Sequence, residues 1–149
     1  MTNLKSEFYC PYAKNCFECC LETEMPLSEK DITRISNLGF NIEDFLEEQE
    51  GFMVLRNING RCFFLGDGLC KIYENRPEGC KYYPLIYDLE TDEFVIDDLC
   101  PRAQDFDASI YQPLYEPIRY FIYMLLSEKE IRRRKTEEEE KKREEENSP

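Results

Sequence analysis

The sequence predicts an α+β fold, a small single domain with irregular Cys-rich loops, a β-hairpin and a helical C-terminus. Three observations lead there. Eight cysteines are scattered at uneven spacings between residues 10 and 100. Asn59-Gly60 separates two apolar stretches, a strong hairpin signal. Beyond Pro117, the residues Phe121, Ile122, Leu125 and Leu126 recur at helical spacing.

The elements follow in order. Residues 1–24 read as irregular and are dominated by Cys10, Cys16, Cys19 and Cys20. Ser28 with Asp31 forms a capping box that opens a helix. Ile32, Ile35 and Leu38 share one face of it, and Gly39 suits its stop. Asn41 is placed to cap a second short helix with Phe45 and Leu46 inward. Stretches 52–57 and 61–65 are the expected hairpin strands, the second carrying Cys62. Asp67-Gly68 makes another turn, which puts Cys70 at the start of a short helical stretch ending near Arg76-Pro77. Cys80 follows, then extended segments 81–87 and 94–97 around a polar turn at 90–93. Cys100-Pro101 closes the cysteine region.

Pro113 and Pro117 limit where the last helix begins, and the spacing predicts it from about Ile118. After Ser127 the chain is almost wholly charged. Glu128/Arg132, Glu130/Arg134, Glu137/Lys141 and Glu138/Lys142 are spaced four apart with Glu first, each pair contributing about 0.3–0.5 kcal/mol. This predicts residues 1–127 as a cysteine-cluster domain and 128–149 as a charged tail, helical and fraying or disordered. There is no internal repeat.

Composition narrows the chemistry. A chain of 149 residues, 42% hydrophobic and 13% aromatic, suits one domain with a core built on ten Tyr and ten Phe. It contains no His and no Trp. The missing His excludes a Ser-His-Asp triad, a Cys-His nucleophile pair and a His general base. It also excludes mixed Cys/His zinc sites, Rieske ligation and a two-His facial triad. Any metal must be held by Cys or by carboxylates.

Net charge is −13. The tail from Glu128 carries nine acidic and eight basic residues, so residues 1–127 hold −12. Such a surface repels phosphates, and no nucleic acid is expected as a partner. The first ten residues lack the apolar core of a secretory signal. The longest apolar run, 120–126, is too short to span a bilayer. A cytoplasmic protein without a membrane is therefore expected. That compartment keeps thiols reduced and turns eight cysteines towards metal or redox work. The abundance of Glu, Lys and Arg hints at a thermophile, in which intracellular disulfides do occur, so the spacing itself has to carry the argument.

The spacing is Cys10-x5-Cys16-x2-Cys19-Cys20, then Cys62-x7-Cys70-x9-Cys80-x19-Cys100. Cys16-x2-Cys19 is a natural chelate for one metal centre. Cys19 and Cys20 are adjacent, so their side chains are expected to diverge and Cys20 to serve a second metal position. Buried free cysteine as a small hydrophobe explains Cys62 but not the Cys16/Cys19/Cys20 cluster. A disulfide framework fits poorly, because Cys is only about 5% of the chain, below the ~8–10% of short secreted scaffolds. All eight cysteines are thus candidate metal ligands, and the loops are metal-binding loops. Structural zinc sites usually show two C-x2–4-C knuckles, and the second half has none. The N-terminal run misses plant-type ferredoxin spacing by one residue, and Cys10-Pro11 and Cys100-Pro101 match the Cys-Pro of bacterial ferredoxins. An iron–sulfur cluster is the expected cofactor, with Zn as the alternative.

Cys16-Phe-Glu-Cys19-Cys20, Cys62-Phe-Phe-Leu, the string from Cys70 through Ile72, Tyr73, Arg76 and Pro77 to Cys80, and Tyr83-Pro84 together resemble the YkgJ family. Its members are described as CxxCxxCC proteins with a zinc- or iron-chelating domain. The resemblance runs over residues 10–100 and implies that all eight cysteines are family positions forming a metal centre. Two departures bear on the geometry near Cys10: the first gap is five residues instead of two, and Phe17 stands where Gly is common.

Arg76 reads equally as a hydrogen-bond donor to a bound cluster or as a surface Arg before a Pro stop. Tyr82, Tyr83 and Tyr87 read as core or edge aromatics rather than as a dry shell around a cluster. The basic run 132–135 is answered by Glu137–Glu140 and reads as a solvated face. No phosphate-binding glycine motif occurs. The function expected is a metal-binding, iron–sulfur protein in electron transfer or as an accessory to a partner enzyme. The alternative is a structural zinc module that binds another protein. Cysteine-cluster domains similar to this one occur in flagellin lysine methylases. This chain has neither an S-adenosylmethionine fingerprint nor the length for that domain, so no catalytic residue and no independent activity are expected.

Overall fold

Three successive turns set the first half of the fold. Glu50-Gly51, Asn59-Gly60 and Asp67-Gly68 all have positive φ (52° and 88°, 53° and 78°, 47° and 79°). Each pair is the two-residue loop of an antiparallel hairpin, where positive φ at both positions matches the strand twist. The first joins β1 (Leu46–Gln49) to β2 (Phe52–Leu55). The second joins β3 (Asn57–Ile58) to β4 (Arg61–Cys62). The third joins β5 (Leu65–Gly66) to β6 (Leu69–Cys70). A fourth ladder pairs β7 (Leu85–Asp88) with β8 (Glu93–Ile96).

The computed structural model describes residues 4–8, 10 and 16–147. The irregular course expected for 1–24 can be followed at 4–8, 10 and 16–24. Residues 1–3, 9, 11–15 (Pro11 among them) and 148–149 lie outside the described residues.

Helix α1 (Glu29–Ser36) opens on the expected capping box and α2 (Ile42–Phe45) follows Asn41. Ile32 and Ile35 turn inward, but Leu38 lies past the helix end and is 45% exposed. Asn41 makes no side-chain cap. The first core gathers Leu27, Ile35, Phe45, Leu55, Phe64 and Ile72, with Cys62 buried among them. Stretch 25–27 runs beside β2, with Leu27 N donating to Met53 O (2.7 Å) and Leu55 N to Met25 O (3.0 Å).

Three expectations need correction. Stretch 52–57 does not pair with 61–65; Phe52–Leu55 pairs backwards with Leu46–Gln49, and the Asn59-Gly60 hairpin is only two residues deep. Cys70 ends a strand, and the helical turn Tyr73–Asn75 comes after it. Stretch 81–87 is not extended throughout, because α3 (Glu78–Tyr82) occupies its start and contains Cys80. Pro77 both ends the preceding segment and opens α3, since a proline needs no partner for the N–H it lacks.

The second core joins Leu85, Tyr111, Leu114 and Ile118, with Phe8 stacked on Tyr111 at 4.5 Å. The last helix, α4 (Tyr115–Glu146), begins three residues before Ile118, after a 3₁₀ segment Ala108–Leu114 that contains Pro113. Pro117 lies in the first turn of α4, where helix N–H groups have no partner within the helix. Phe121 and Leu125 are buried against the body. Contact continues past them. Glu128 accepts from Glu29 N (3.1 Å), Lys129 Nζ lies 4.4 Å from the Phe52 ring centroid, and Arg132 donates to Gly51 O (2.9 Å) and pairs with Glu29 (3.2 Å). From Arg133 to Asn147 every residue is exposed. Arg133 pairs with Glu130 and Glu137, and Arg134 with Glu130. Among the described residues, no helix is long and apolar enough to cross a membrane. The chain is a small single α+β domain with a helical C-terminus.

Since the exposed turns beyond Arg132 pair, among the described residues, with their own helix, deleting residues 136–149 should leave the melting temperature within about a degree, exposed i,i+4 pairs being worth only tenths of a kcal/mol. Differential scanning calorimetry checks this, and a fall of several degrees would show that these turns support the body.

Candidate metal centre

A cavity of about 110 Å³ is lined by all eight cysteines. Six of them come from a tight turn or a short element. Cys19 and Cys20 lie on the 3₁₀ turn Glu18–Cys20, closed by Cys20 N to Phe17 O at 2.8 Å. Cys62 ends β4, Cys70 ends β6 and Cys80 is the middle residue of α3. Cys100 follows β8 in a turn where its N–H donates to Asp97 O (3.1 Å). That turn is braced twice, because the Asp97 carboxylate accepts from Leu99 N (3.0 Å) and Tyr83 OH (2.8 Å). Gly79, next to Cys80, packs against Met25; a Cβ there would collide with Met25 Sδ.

The walls are largely apolar, with Leu55, Phe64 and Ile72 from the first core. Burial accordingly pushes thiols up: Cys62 to about 11, Cys80 well above its ordinary value, Cys70 and Cys100 in the same direction. Burial disfavours the charged thiolate. Cys19 is the exception. The Cys20 thiol donates to its sulfur and holds it down to about 7, while the same bond and burial push Cys20 up. Both of these neighbours line the cavity.

Arg76 also lines the cavity. Its Nε donates to Tyr73 O (3.0 Å) and its guanidinium lies 4.0 Å from the Tyr73 ring centroid. From there its charge opposes the effect of burial on Cys70 and Cys80. It is a half-buried cation beside thiols, not a surface residue. Arg102 is a second guanidinium in the lining. Of the three tyrosines singled out in the sequence, Tyr83 lines the cavity; Tyr82 packs towards Phe121 (6.3 Å) and Tyr87 stacks on Phe94 (4.9 Å).

The residue that sequence reasoning undervalued is Asp31. Only 1% exposed, its carboxylate accepts from Ser28 N (3.1 Å), Arg34 (2.9 Å) and Glu78 N (3.0 Å). Arg34 also donates to Arg76 O (2.8 Å). The clamp pins the Arg76–Glu78 turn and with it the start of α3. The capping-box pattern flagged Asp31, but no local pattern signals the bond to Glu78, 47 residues away.

All eight cysteines are free thiols. Among the described residues, no three Cys, Asp or Glu side chains already converge as a single-ion site. The thiols surround a space, so closing them on a metal and ordering their loops would be one event. The donor set fits a thiolate-bound metal: soft ligands, apolar walls and guanidinium charge nearby. A family model described as CxxCxxCC, a putative zinc- or iron-chelating domain, matches residues 10–101. No curated protein and no solved structure matches the chain.

Asp31→Ala leaves two backbone N–H groups and Arg34 without their acceptor. It should lower unfolding free energy by about 2–4 kcal/mol and weaken metal retention with it. Urea denaturation measures the first and metal analysis after dialysis the second. An unchanged midpoint would show that the clamp is not what holds the turn.

Proposed function

The chain belongs to the CxxCxxCC family, and from that premise we propose that Cys10, Cys16, Cys19, Cys20, Cys62, Cys70, Cys80 and Cys100 ligate an iron–sulfur centre in a cytoplasmic protein. Residues 1–127 supply the metal-binding unit, and 128–149 form a charged tail without ligands whose first residues, to Arg132, rest on the body. One observation carries the reading: thiols from distant parts of the chain line a single cavity. A hydrophobic role for cysteine would distribute them between the two cores. A bound iron–sulfur cluster supplies one-electron transfer, in a redox chain or as an accessory to a partner enzyme. The chain's own residues do the rest. The thiolates bind, Phe64 and Ile72 exclude water, and Arg76 offsets negative charge where ligand thiolates accumulate.

Zinc is the second reading, supported by the family description, which names both metals. Thiols contributed by hairpins, a helix and loops could equally serve a structural ion that fastens those segments together and presents the surface to another protein.

Anaerobic purification separates the two. The protein should emerge brown, with a broad thiolate-to-iron absorption band and acid-labile sulfide. Colourless protein that carries stoichiometric zinc, even after reconstitution with iron and sulfide, overturns the iron–sulfur reading and leaves the structural one. Cys16→Ser and Cys19→Ser should each lower metal content and loosen the packing around the cavity, as seen by metal analysis and near-ultraviolet circular dichroism. Full occupancy and native spectra in both variants would end the metal-centre reading.

A further inference from the structure

We infer that the cavity contains two adjoining four-thiol metal positions: an inner one formed by Cys20, Cys62, Cys70 and Cys80, and an outer one formed by Cys10, Cys16, Cys19 and Cys100. This deepens the metal-centre reading and rests on it.

The division follows the packing. Cys62 is part of the first hydrophobic core, and Cys20, Cys70 and Cys80 pack directly against it. Cys10, Cys16 and Cys100 are not among the residues packed on it, and Cys19 is exposed. Cys100 has Cys10, Cys16 and Cys19 as its strongest thiol neighbours. Cys10 is also within electrostatic reach of Tyr111 in the second core, and Cys100 of Tyr83. On the inner side, Cys80 has Cys62 and Cys70 as thiol neighbours, with Cys19 at the border. The packing thus sets one group of four on the first core.

Ligand chemistry calls for the same partition. Structural zinc and the common iron–sulfur clusters each take four protein ligands. Eight thiols with no His make two full sets. The vicinal pair marks the border. Two residues in sequence supply one thiol to each position, and both line the one cavity. Cys19 is the thiol that reaches both, interacting with Cys62, Cys70 and Cys80 as well as with Cys100.

The two positions differ in access. Cys19 is exposed and Cys62 is buried, the remaining six being half-buried. The outer position is the one an exchanging metal or a partner meets first. The inner one is bound up with the core.

The test uses the full-length chain, stripped of metal, reduced and titrated anaerobically with cobalt(II), whose thiolate charge-transfer and d–d bands report tetrahedral sulfur ligation. Saturation at two equivalents is expected. Cys10→Ser and Cys100→Ser should retain one tight equivalent and native far-ultraviolet circular dichroism, because their set lies outside the first core. Cys62→Ser should remove the inner equivalent and reduce the fold's stability. Saturation at one equivalent, or at three or more, overturns the division. So does loss of all cobalt, or none, in both Cys10→Ser and Cys100→Ser. Absence of any charge-transfer band in the parent protein defeats the metal-centre reading itself, an outcome distinct from a single equivalent.

Discussion

The Asp31 carboxylate is the contact on which the geometry of the cysteine cavity rests. A buried carboxylate is costly unless its oxygens are matched by donors, and here Ser28 N, Glu78 N and Arg34 match them. Two of these bonds reach backbone at different points of the chain, so one side chain fixes the start of α1 against the start of α3. Arg34 adds a second strut through Arg76 O. Cys80 and Arg76 inherit their positions from this arrangement. A short helix such as Glu78–Tyr82 has little stability of its own; it is held by what grips its first turn.

The hairpins show which parts of the fold were legible in the sequence. Asn59-Gly60 and Asp67-Gly68 were readable because Asn, Asp and Gly tolerate the left-handed region that such a loop requires. Glu50-Gly51 uses the same geometry with a residue that rarely adopts it, so its hairpin was missed and β2 was assigned to the wrong partner. Strands of two residues, such as those bearing Cys62 and Cys70, offer no alternation to read. Helix α1 and the burial of Phe121 and Leu125 were legible because capping and helical period are local signals. The bond that ties Asp31 to α3 is not local, and neither is the packing that decides between the two readings of Arg76 by placing it in the cavity lining.

The candidate site was legible in kind but not in arrangement. Absence of His and the cluster at Cys16, Cys19 and Cys20 point to thiolate chemistry from composition alone. Which cysteines share a wall depends on whether a chain segment packs on the first core or beside the second. For Cys19 and Cys20, adjacency alone suggests divergence, yet the 3₁₀ turn sets both on the lining of one cavity. That turn is a tertiary product: Leu21 bridges to Arg61, and Glu22 N donates to Gly60 O at 2.7 Å, which anchors the N-terminal loop on the second hairpin.

Charge explains why such a cavity calls for a metal. Residues 1–127 already carry −12, and eight thiolates crowded against apolar walls would repel one another and lose hydration. Protons relieve this in the metal-free protein, as the upward displacement of Cys62, Cys70, Cys80 and Cys100 shows. A coordinated cation relieves it differently, by deprotonating the thiols and replacing several separate charges with one compact, partly neutralised group. Arg76 contributes in the same direction from a fixed place, its guanidinium held by the Tyr73 carbonyl and ring. Guanidinium is permanently charged and suited to such a half-buried position. The apolar wall that makes these thiols reluctant acids is therefore the same feature that rewards a soft cation, and the clamp at Asp31 keeps the cationic side chain and Cys80 facing that one space.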